Sequence, residues 1–171
     1  DSSSMKQFIM FLDGPKGSGK STVGGLLKLK LSNTDFFGLD EERRKISGAK
    51  TNTEFNNQAF QAILENTEKS LVAGKDVVID SGLKEGRIAQ IHQVLSKHKA
   101  SLFSYAFIAP YNVLLSRVRE RDAQKGKTTD EKRFQETYAT QQAKDFKNFT
   151  IFDTSKISPE DIIVQIITKL Q

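Results

Sequence analysis

Residues 14–21, near the start of the chain, have the spacing G-x-x-x-x-G-K-S. An apolar segment at 8–12 precedes them and is typical of a buried strand, and residues 22–31 are typical of a helix. In such an arrangement backbone N–H groups surround phosphate oxygens, Lys20 reaches the β- and γ-phosphates, and the Ser21 hydroxyl holds Mg²⁺. The pattern therefore predicts a nucleoside triphosphate site, with a glycine-rich turn that binds nothing as the alternative. The predicted ATP-binding residues are Gly14, Pro15, Lys16, Gly17, Ser18, Gly19, Lys20, Ser21 and Thr22.

A second candidate residue, Asp80, follows the apolar run at 77–79. That run predicts a buried strand, and an aspartate at the carboxyl end of a strand beside the phosphate loop orders the water ligands of Mg²⁺. The sequence thus predicts that Ser21 and Asp80 serve the metal. The alternative is an aspartate that only forms a turn.

Asp40 and Arg43 lie three residues apart in the segment LDEERR at 39–44. A carboxylate would repel an acceptor that is itself a phosphate, whereas it orients an acceptor hydroxyl and takes its proton in the transition state. Arg43 lies on nearly the same helix face and is predicted to bind an anionic group of the acceptor. The alternative is that Asp40 N-caps a helix that begins at Glu41.

Three arginines complete the candidate set. Arg117 and Arg121 are spaced i, i+4 on one helix face, which suits neutralisation of charge on a transferring phosphoryl group. Exposed pairing with Glu120 or Asp122 is the alternative for both. Arg87 begins a helix that follows the loop after Asp80, and it is predicted either to reach the substrate or to be solvated.

Composition limits the class of protein. The 171 residues are 37% hydrophobic and 27% charged, which predicts one globular domain with a full core. With 0 Cys, the chain has no disulfide framework, thiolate metal site or cysteine nucleophile, and we expect a reducing, cytoplasmic location. No run is long enough to span a membrane, and nothing resembles a signal peptide. We interpret residues 1–4 as a cloning remnant and 5–171 as the domain.

The net charge of +5 is unevenly distributed, because basic residues crowd the stretch 117–133. Such a patch meets the phosphates of a nucleotide or polynucleotide, or else forms a solvated helical face. The segment around Gly126 is polar and lysine-rich, and it lies between two predicted helices. It therefore predicts a short mobile lid at about 117–135.

Apolar runs alternate with amphipathic stretches along the rest of the chain. Further strands are predicted at 35–39, 102–108 and 150–152, and further helices at 53–73, 85–97, 113–121, 130–144 and after 158. Thr128 with Glu131, and Ser158 with Pro159, are predicted to begin the last two helices. Strands without alternation predict a parallel sheet covered on both faces. The predicted fold class is α/β, a three-layer α/β/α P-loop NTPase fold with a five-stranded parallel sheet and a helical lid.

Taken together, these blocks resemble the P-loop kinases of the nucleoside-monophosphate-kinase-like fold. The chain looks most like the branch that contains polynucleotide 5′-hydroxyl kinases, zeta-toxin-like kinases and chloramphenicol phosphotransferases. The resemblance rests on the blocks at 14–21, 39–43, 78–87 and 109–121. It implies Arg121 on the transferring phosphate, Arg117 on phosphate or the adenine face, and the loop 153–155 near the adenine. Residues 82–84 depart from the family pattern, which often has a Thr-Asn pair there.

The resulting hypothesis is an ATP- and Mg²⁺-dependent phosphotransferase whose acceptor carries a hydroxyl. The acceptor is either a polynucleotide 5′-hydroxyl or a small molecule, since the basic lid favours a polyanion but no aromatic platform for single strands is evident. A nucleoside-monophosphate kinase is a second hypothesis, which the argument from Asp40 disfavours. A non-kinase NTPase switch is a third, which the arginine pair within the chain disfavours.

Overall fold

The computed structural model describes residues 6–171, so the interpretation of residues 1–4 and of Met5 lies outside the described residues. The strands are β1 (Phe8–Asp13), β2 (Thr34–Gly38), β3 (Asp76–Asp80), β4 (Ser101–Ile108) and β5 (Thr150–Asp153). The helices are α1 (Lys20–Lys30), α2 (Leu39–Ser47), α3 (Thr53–Val72), α4 (Arg87–His98), α5 (Tyr111–Gln124), α6 (Glu131–Gln142) and α7 (Pro159–Leu170). Strands and helices alternate through most of the chain, as the apolar pattern predicts.

The strands form one five-stranded sheet in the order β2-β3-β1-β4-β5. β1 and β2 both pair in parallel with β3, and β4 pairs in parallel with β5. Every residue of β1 is buried, because a strand in the middle of a parallel sheet is covered on both faces and is apolar throughout. The predicted α/β fold with a five-stranded parallel sheet is confirmed.

The contacts divide the described chain into two compact units. The first contains the described residues through Leu12 together with Leu31–Ser104, and the second contains Asp13–Lys30 and Tyr105–Gln171. In the first unit α3 packs against α2, α4 and β3, and in the second α1 packs against α7. The extent of a single domain and of a lid at 117–135 stays a prediction.

Several local predictions are corrected by the backbone. β2 ends at Gly38, and Leu39 already belongs to α2. Gly38 is therefore the N-cap residue and makes no side-chain capping bond, so Asp40 lies inside the first turn and the capping alternative for it is wrong.

The starts of the last two helices follow the chemistry of the capping side chain. Asp130, not Thr128, caps α6, because the Asp130 carboxylate accepts a hydrogen bond from the backbone N–H of Arg133. The predicted Ser158 cap of α7 is confirmed by a 3.1 Å bond from the Asp161 N–H to the serine hydroxyl, with proline in the first turn. No helix of residues 6–171 has both the length and the apolarity needed to cross a membrane.

Candidate active site

The glycine-rich loop occupies the turn between the end of β1 and the start of α1. A Cβ on Gly14 would lie 2.6 Å from the Ser18 Oγ and 3.1 Å from the Phe107 carbonyl oxygen. Gly17 has a φ of +82°, and a Cβ there would lie 3.0 Å from the Leu114 carbonyl oxygen. Both positions thus exclude a larger side chain, and the loop backbone is held close to the elements around it.

The backbone of this loop suits a triphosphate because of the helix end that follows it. It leads directly into the N-terminus of α1, whose first turn contains no acidic residue, so the partial positive charge of the helix end is not neutralised there. Lys20 is the first residue of α1 and is half-buried, while Ser21 and Thr22 are exposed beside it. A phosphate chain bound at this helix end would meet the loop N–H groups, the Lys20 ammonium and the Ser21 hydroxyl.

The residues also fit Mg²⁺ of the kind that accompanies nucleotides. Such an ion takes most of its ligands from phosphates and water, with one or two protein oxygens. The described residues contain no group of three or more His, Asp or Glu that would form an independent metal cage. Ser21, in the second unit, and Asp80, at the end of β3 in the first unit, stay the predicted metal residues.

Arg117 braces the loop from the side of α5. Its Nη1 donates to the Gly17 carbonyl oxygen and to the Thr154 Oγ1, both at 2.9 Å, and its Nη2 donates to the Thr154 carbonyl oxygen at 3.1 Å. The forked guanidinium therefore connects the phosphate loop to the turn after β5. Contact of Arg117 with phosphate or adenine stays a prediction, to which the structure adds this bracing role.

The turn after β5 is itself ordered by its side chains. Thr154 donates its N–H and its hydroxyl to the Ile108 carbonyl oxygen. The Asp153 carboxylate accepts from the N–H and the hydroxyl of Ser155, and the hydroxyl bond above all holds the pKa of Asp153 below its usual range. Arg117 adds a smaller electrostatic contribution in the same direction. The predicted place of this turn beside the adenine stays a prediction.

Asp13 is a residue of the site region that the sequence argument missed. It is 1% exposed at the end of β1, directly before Gly14. Its carboxylate accepts from the Lys144 Nζ at 3.0 Å and from the Gln141 Nε2 at 3.2 Å. The signal available was a charged residue that ends a fully apolar strand, which requires a partner when it is buried.

The remaining arginines of α5 differ in their surroundings. Arg121 is exposed, and among the described residues its guanidinium makes no ion pair or hydrogen bond. Arg119 pairs with Glu131 at 2.6 Å, and the hydrogen bond that its guanidinium donates to that carboxylate raises the pKa of Arg119. Neither Arg117 nor Arg121 forms the alternative ion pair with Glu120 or Asp122 in the part of the chain that the structure describes. Arg121 thus keeps its charge available, as its predicted role on a transferring phosphate requires.

Asp40 and Arg43 lie in the first unit, on α2. The Arg43 Nη1 donates to the Asp40 Oδ1 at 2.8 Å and to the Asn56 Oδ1 of α3 at 3.2 Å. The Asp40 side chain is 70% exposed, whereas that of Arg43 is only 13% exposed. The Arg43 Nε is buried without a hydrogen-bond partner in the described part of the chain. The structure therefore presents a carboxylate at the surface and orients it with an arginine fixed behind it.

Arg87 is buried rather than solvated, so that alternative is wrong. Its Nη1 donates to the carbonyl oxygens of Ser81 and Gly82 at 2.9 and 2.8 Å, and its guanidinium lies 5.0 Å from the centre of the Phe60 ring. These contacts fix the loop that follows Asp80. Arg87 also lines an open groove of about 580 Å³ between α3 and the start of α4, whose other walls include Asn57, Gln61 and Gln90. Substrate contact by Arg87 stays a prediction.

The fold and the phosphate loop together define the class of protein, a P-loop kinase. More particularly, residues 9–144 match the AAA domain family AAA_33, and the chain belongs to that family. Among curated proteins, the guanylate kinase of Helicobacter pylori is 26% identical, over 92% of this chain and 85% of that protein.

Solved structures with the same fold come from proteins of several descriptions. A provisionally assigned kinase from Chloroflexus aurantiacus has a TM-score of 0.74 at 15% identity, over 98% of this chain and all of that one. A gluconokinase from Sinorhizobium meliloti has a TM-score of 0.66 at 18% identity, over 97% of this chain and 92% of that one. A chain of the Pnkp1/Rnl/Hen1 RNA repair complex has a TM-score of 0.63 at 19% identity, over 85% of this chain and 49% of that one. At these identities the likeness establishes the fold and not the substrate.

Proposed function

We propose that this protein transfers the γ-phosphate of ATP to the hydroxyl group of an acceptor, with Mg²⁺ bound to the nucleotide. The observation that carries the proposal is the combination, in one chain, of a phosphate loop with fixed backbone and an exposed, arginine-oriented carboxylate. The first feature suits a triphosphate donor and the second suits an alcohol.

The donor residues lie in the second unit. The loop N–H groups and Lys20 bind the β- and γ-phosphates, and Ser21 holds Mg²⁺, with Asp80 orienting its water ligands. When bound, the ion neutralises charge on the phosphate oxygens. Arg121 is exposed and has no described partner, so it is suited to contact the transferring group as charge develops on it.

Asp40 acts as the general base in this proposal. It takes the proton of the acceptor hydroxyl as the hydroxyl oxygen bonds to the terminal phosphorus and the bond from that phosphorus to the β-phosphate oxygen breaks, which leaves ADP. Arg43 orients the carboxylate and is the candidate contact for an anionic group of the acceptor. Its buried, unpartnered Nε costs about 1–3 kcal/mol, and a functional requirement is one reason for a protein to retain such an atom.

The acceptor is better matched by a small molecule than by a polynucleotide. The groove beside Arg87 is lined by amide side chains, which pair with hydroxyl groups, and its Lys84 is offset by Glu85. A polynucleotide would instead require a continuous basic surface with stacking rings. The exposed lysines near Gly126 keep the polynucleotide acceptor as the alternative outcome of the test below.

A nucleoside-monophosphate kinase is the second candidate, and the likeness to guanylate kinase over 92% of this chain favours it. The two functions differ in the acceptor group. A phosphate acceptor needs cations around it, whereas the group that this proposal places at the acceptor, Asp40, is a carboxylate. Comparing guanosine with guanosine monophosphate as acceptors separates them.

The decisive experiment is a screen of ³²P transfer from γ-labelled ATP to oligonucleotides, nucleosides, nucleoside monophosphates, sugars and aminoglycosides. We expect Lys20→Ala to abolish transfer to any acceptor that responds. We expect Asp40→Asn to lower kcat by at least about a hundredfold, the scale of a general base, without a change in Tm because the side chain is exposed.

The matched control is Glu41→Gln, which removes the neighbouring exposed carboxylate of the same helix and should leave kcat within about twofold. Full activity of Asp40→Asn would remove the assigned base. ATP hydrolysis that no acceptor changes would favour the NTPase switch. A rate that falls steeply with added salt would identify a polynucleotide, and a salt-independent rate a small molecule.

A further inference from the structure

A second cavity, of about 280 Å³, lies wholly within the second unit, and apart from the backbone of the phosphate loop its lining has no role in the mechanism above. The phosphate loop forms one wall, through Pro15 and Lys16, and α5 and α6 form the others. The apolar part of the lining comprises Leu114, Val118, Phe134 and Tyr138. A site of this kind, apolar with a few polar groups, is typical of small-molecule binding.

The aromatic side chains of the lining are held in place by contacts within the protein. The ring of Tyr111 packs edge-on against Phe134 and Tyr138, with centroids 5.3 and 5.0 Å away. Thr129 donates its hydroxyl to the Asp122 carboxylate at 2.8 Å, which fixes the connection between α5 and α6 beside the cavity. An incoming ring would therefore meet rings that are already held in place, which lowers the entropic cost of binding.

The charged groups of the lining are not equivalent. Both carboxylates are engaged within the protein, Asp122 by Thr129 and Asp130 by the backbone N–H of Arg133. The Lys16 ammonium and the Arg133 guanidinium are exposed and have no ion-pair partner among residues 6–171. The two carboxylates keep their charge, so the lining is neutral overall, but the charged groups still free to donate hydrogen bonds to a ligand are both cations.

From these features we propose that the cavity binds a single aromatic ring that carries an anionic group. A cavity of about 150 Å³ is enough for benzene, so this one accepts one ring with a substituent and excludes a stack of bases. The ring would pack against Phe134 and Tyr138 while Lys16 and Arg133 bind the anion. The ligand is either part of the phosphate acceptor, which rests on the proposed function, or a separate effector, which does not.

The test is saturation-transfer NMR on the full chain with three probes, namely benzoate, benzyl alcohol and acetate. We expect the ring protons of benzoate to receive the strongest saturation, those of benzyl alcohol less, and the acetate methyl group little. Acetate saturated as strongly as benzoate, or rings that receive none, would overturn the proposal.

Thr137→Trp fills the cavity from α6 and should weaken benzoate binding roughly tenfold, the effect of losing about 1.4 kcal/mol. Thr140→Trp is the matched control, because both threonines are exposed and donate to the carbonyl oxygen four residues earlier, but only Thr137 lines the cavity. Equal binding by the two variants would contradict the proposal. Should Thr137→Trp fail to fold, the exposed Arg133→Gln should remove the preference for benzoate over benzyl alcohol, and an unchanged preference would again contradict it.

A second assay separates this inference from the proposed function. Transfer of ³²P to 4-(hydroxymethyl)benzoate, lost in Thr137→Trp, would identify the cavity as an acceptor site. Binding of that compound without its phosphorylation, together with a changed rate on another alcohol, would identify an effector site. If the protein binds ATP and phosphorylates alcohols but binds no ring compound, the inference fails and the proposed function stands.

Discussion

The phosphate loop and the Asp40 region differ in which groups are functional: backbone groups held in a fixed conformation in the loop, and an exposed side chain at Asp40. In the loop the backbone itself is fixed, since Gly14 and Gly17 have no room for a Cβ and Arg117 holds the Gly17 carbonyl. At Asp40 the functional group is an exposed side chain at the start of a helix, with Arg43 as its one described partner. The comparison teaches that changes in the loop should alter ATP binding through geometry, whereas changes at Asp40 should alter chemistry alone.

The largest expected effect is that of Gly17→Ala. The added methyl group would stand 3.0 Å from the Leu114 carbonyl oxygen on a backbone with positive φ, so the loop must move. We expect turnover to fall by about a thousandfold, as when preorganised donors are lost, and ATP binding to become undetectable by calorimetry.

Gly25→Ala is the control for that change. Gly25 lies within α1 and has open space where its Cβ would be, so alanine should raise the stability by about 0.5–1 kcal/mol and leave ATP binding unchanged. If Gly17→Ala binds ATP with unchanged affinity, ATP binding does not depend on a fixed loop backbone, and the contrast with Asp40 is wrong.

Arg117→Lys tests whether the Arg117 guanidinium acts by fixing the phosphate loop or by contacting the phosphate itself. Lysine keeps the charge but loses the fork that reaches both Gly17 and Thr154. We expect the KM for ATP to rise about tenfold, the loss of roughly 1.4 kcal/mol, with little change in kcat. Thr154→Val removes one hydroxyl of the same brace and should give a smaller rise.

The opposite result would be equally informative. If Arg117→Lys lowers kcat and leaves the KM for ATP unchanged, the guanidinium acts in the transition state, as its i, i+4 spacing with Arg121 predicts. Steady-state kinetics at saturating acceptor distinguishes the two results.

The sequence predicted those features that depend on residues close together in the chain, and it missed those that depend on contacts between distant residues. The phosphate loop, the buried strands and the Ser158 cap follow from residues within a few positions of one another. The brace from Arg117 to Gly17 spans 100 residues and the bond from Gln141 to Asp13 spans 128, so no spacing pattern reveals them. Arg87 shows the same limit, because its burial against Phe60 depends on how α3 packs. The acceptor region was predicted by residue type alone, and the roles of its residues, like those of Ser21, Asp80 and Arg117, stay predictions.

Lys144→Met tests how far the buried Asp13 supports the loop that follows it. The substitution removes the Lys144 ammonium from a carboxylate that is 2% exposed, while Gln141 continues to donate a hydrogen bond to it. Because Lys144 is partly exposed, we expect a loss of about 2 kcal/mol in the free energy of unfolding, less than for a fully buried pair. Urea denaturation measures it, with the exposed Lys147→Met as a control that should change stability by less than about 0.5 kcal/mol. Equal stability of the two variants would show that Asp13 does not need its cation.

The smallest expected effect lies outside both regions, at Asp76 at the start of β3, and it serves as a baseline for the comparison. Burial raises the pKa of Asp76 above its ordinary value, although the carboxylate accepts a hydrogen bond from the Phe8 N–H. A raised pKa in the folded state means that the folded protein binds the proton more tightly, so Asp76 lowers the stability as pH rises above the unfolded value near 3.8. Asp76→Asn keeps the acceptor oxygen and removes the charge. We expect its Tm to exceed that of the wild type by a few degrees at most at pH 7 and by nothing at pH 3, where both side chains are neutral. A stabilisation that is the same at both pH values would mean that packing, and not the buried charge, is responsible.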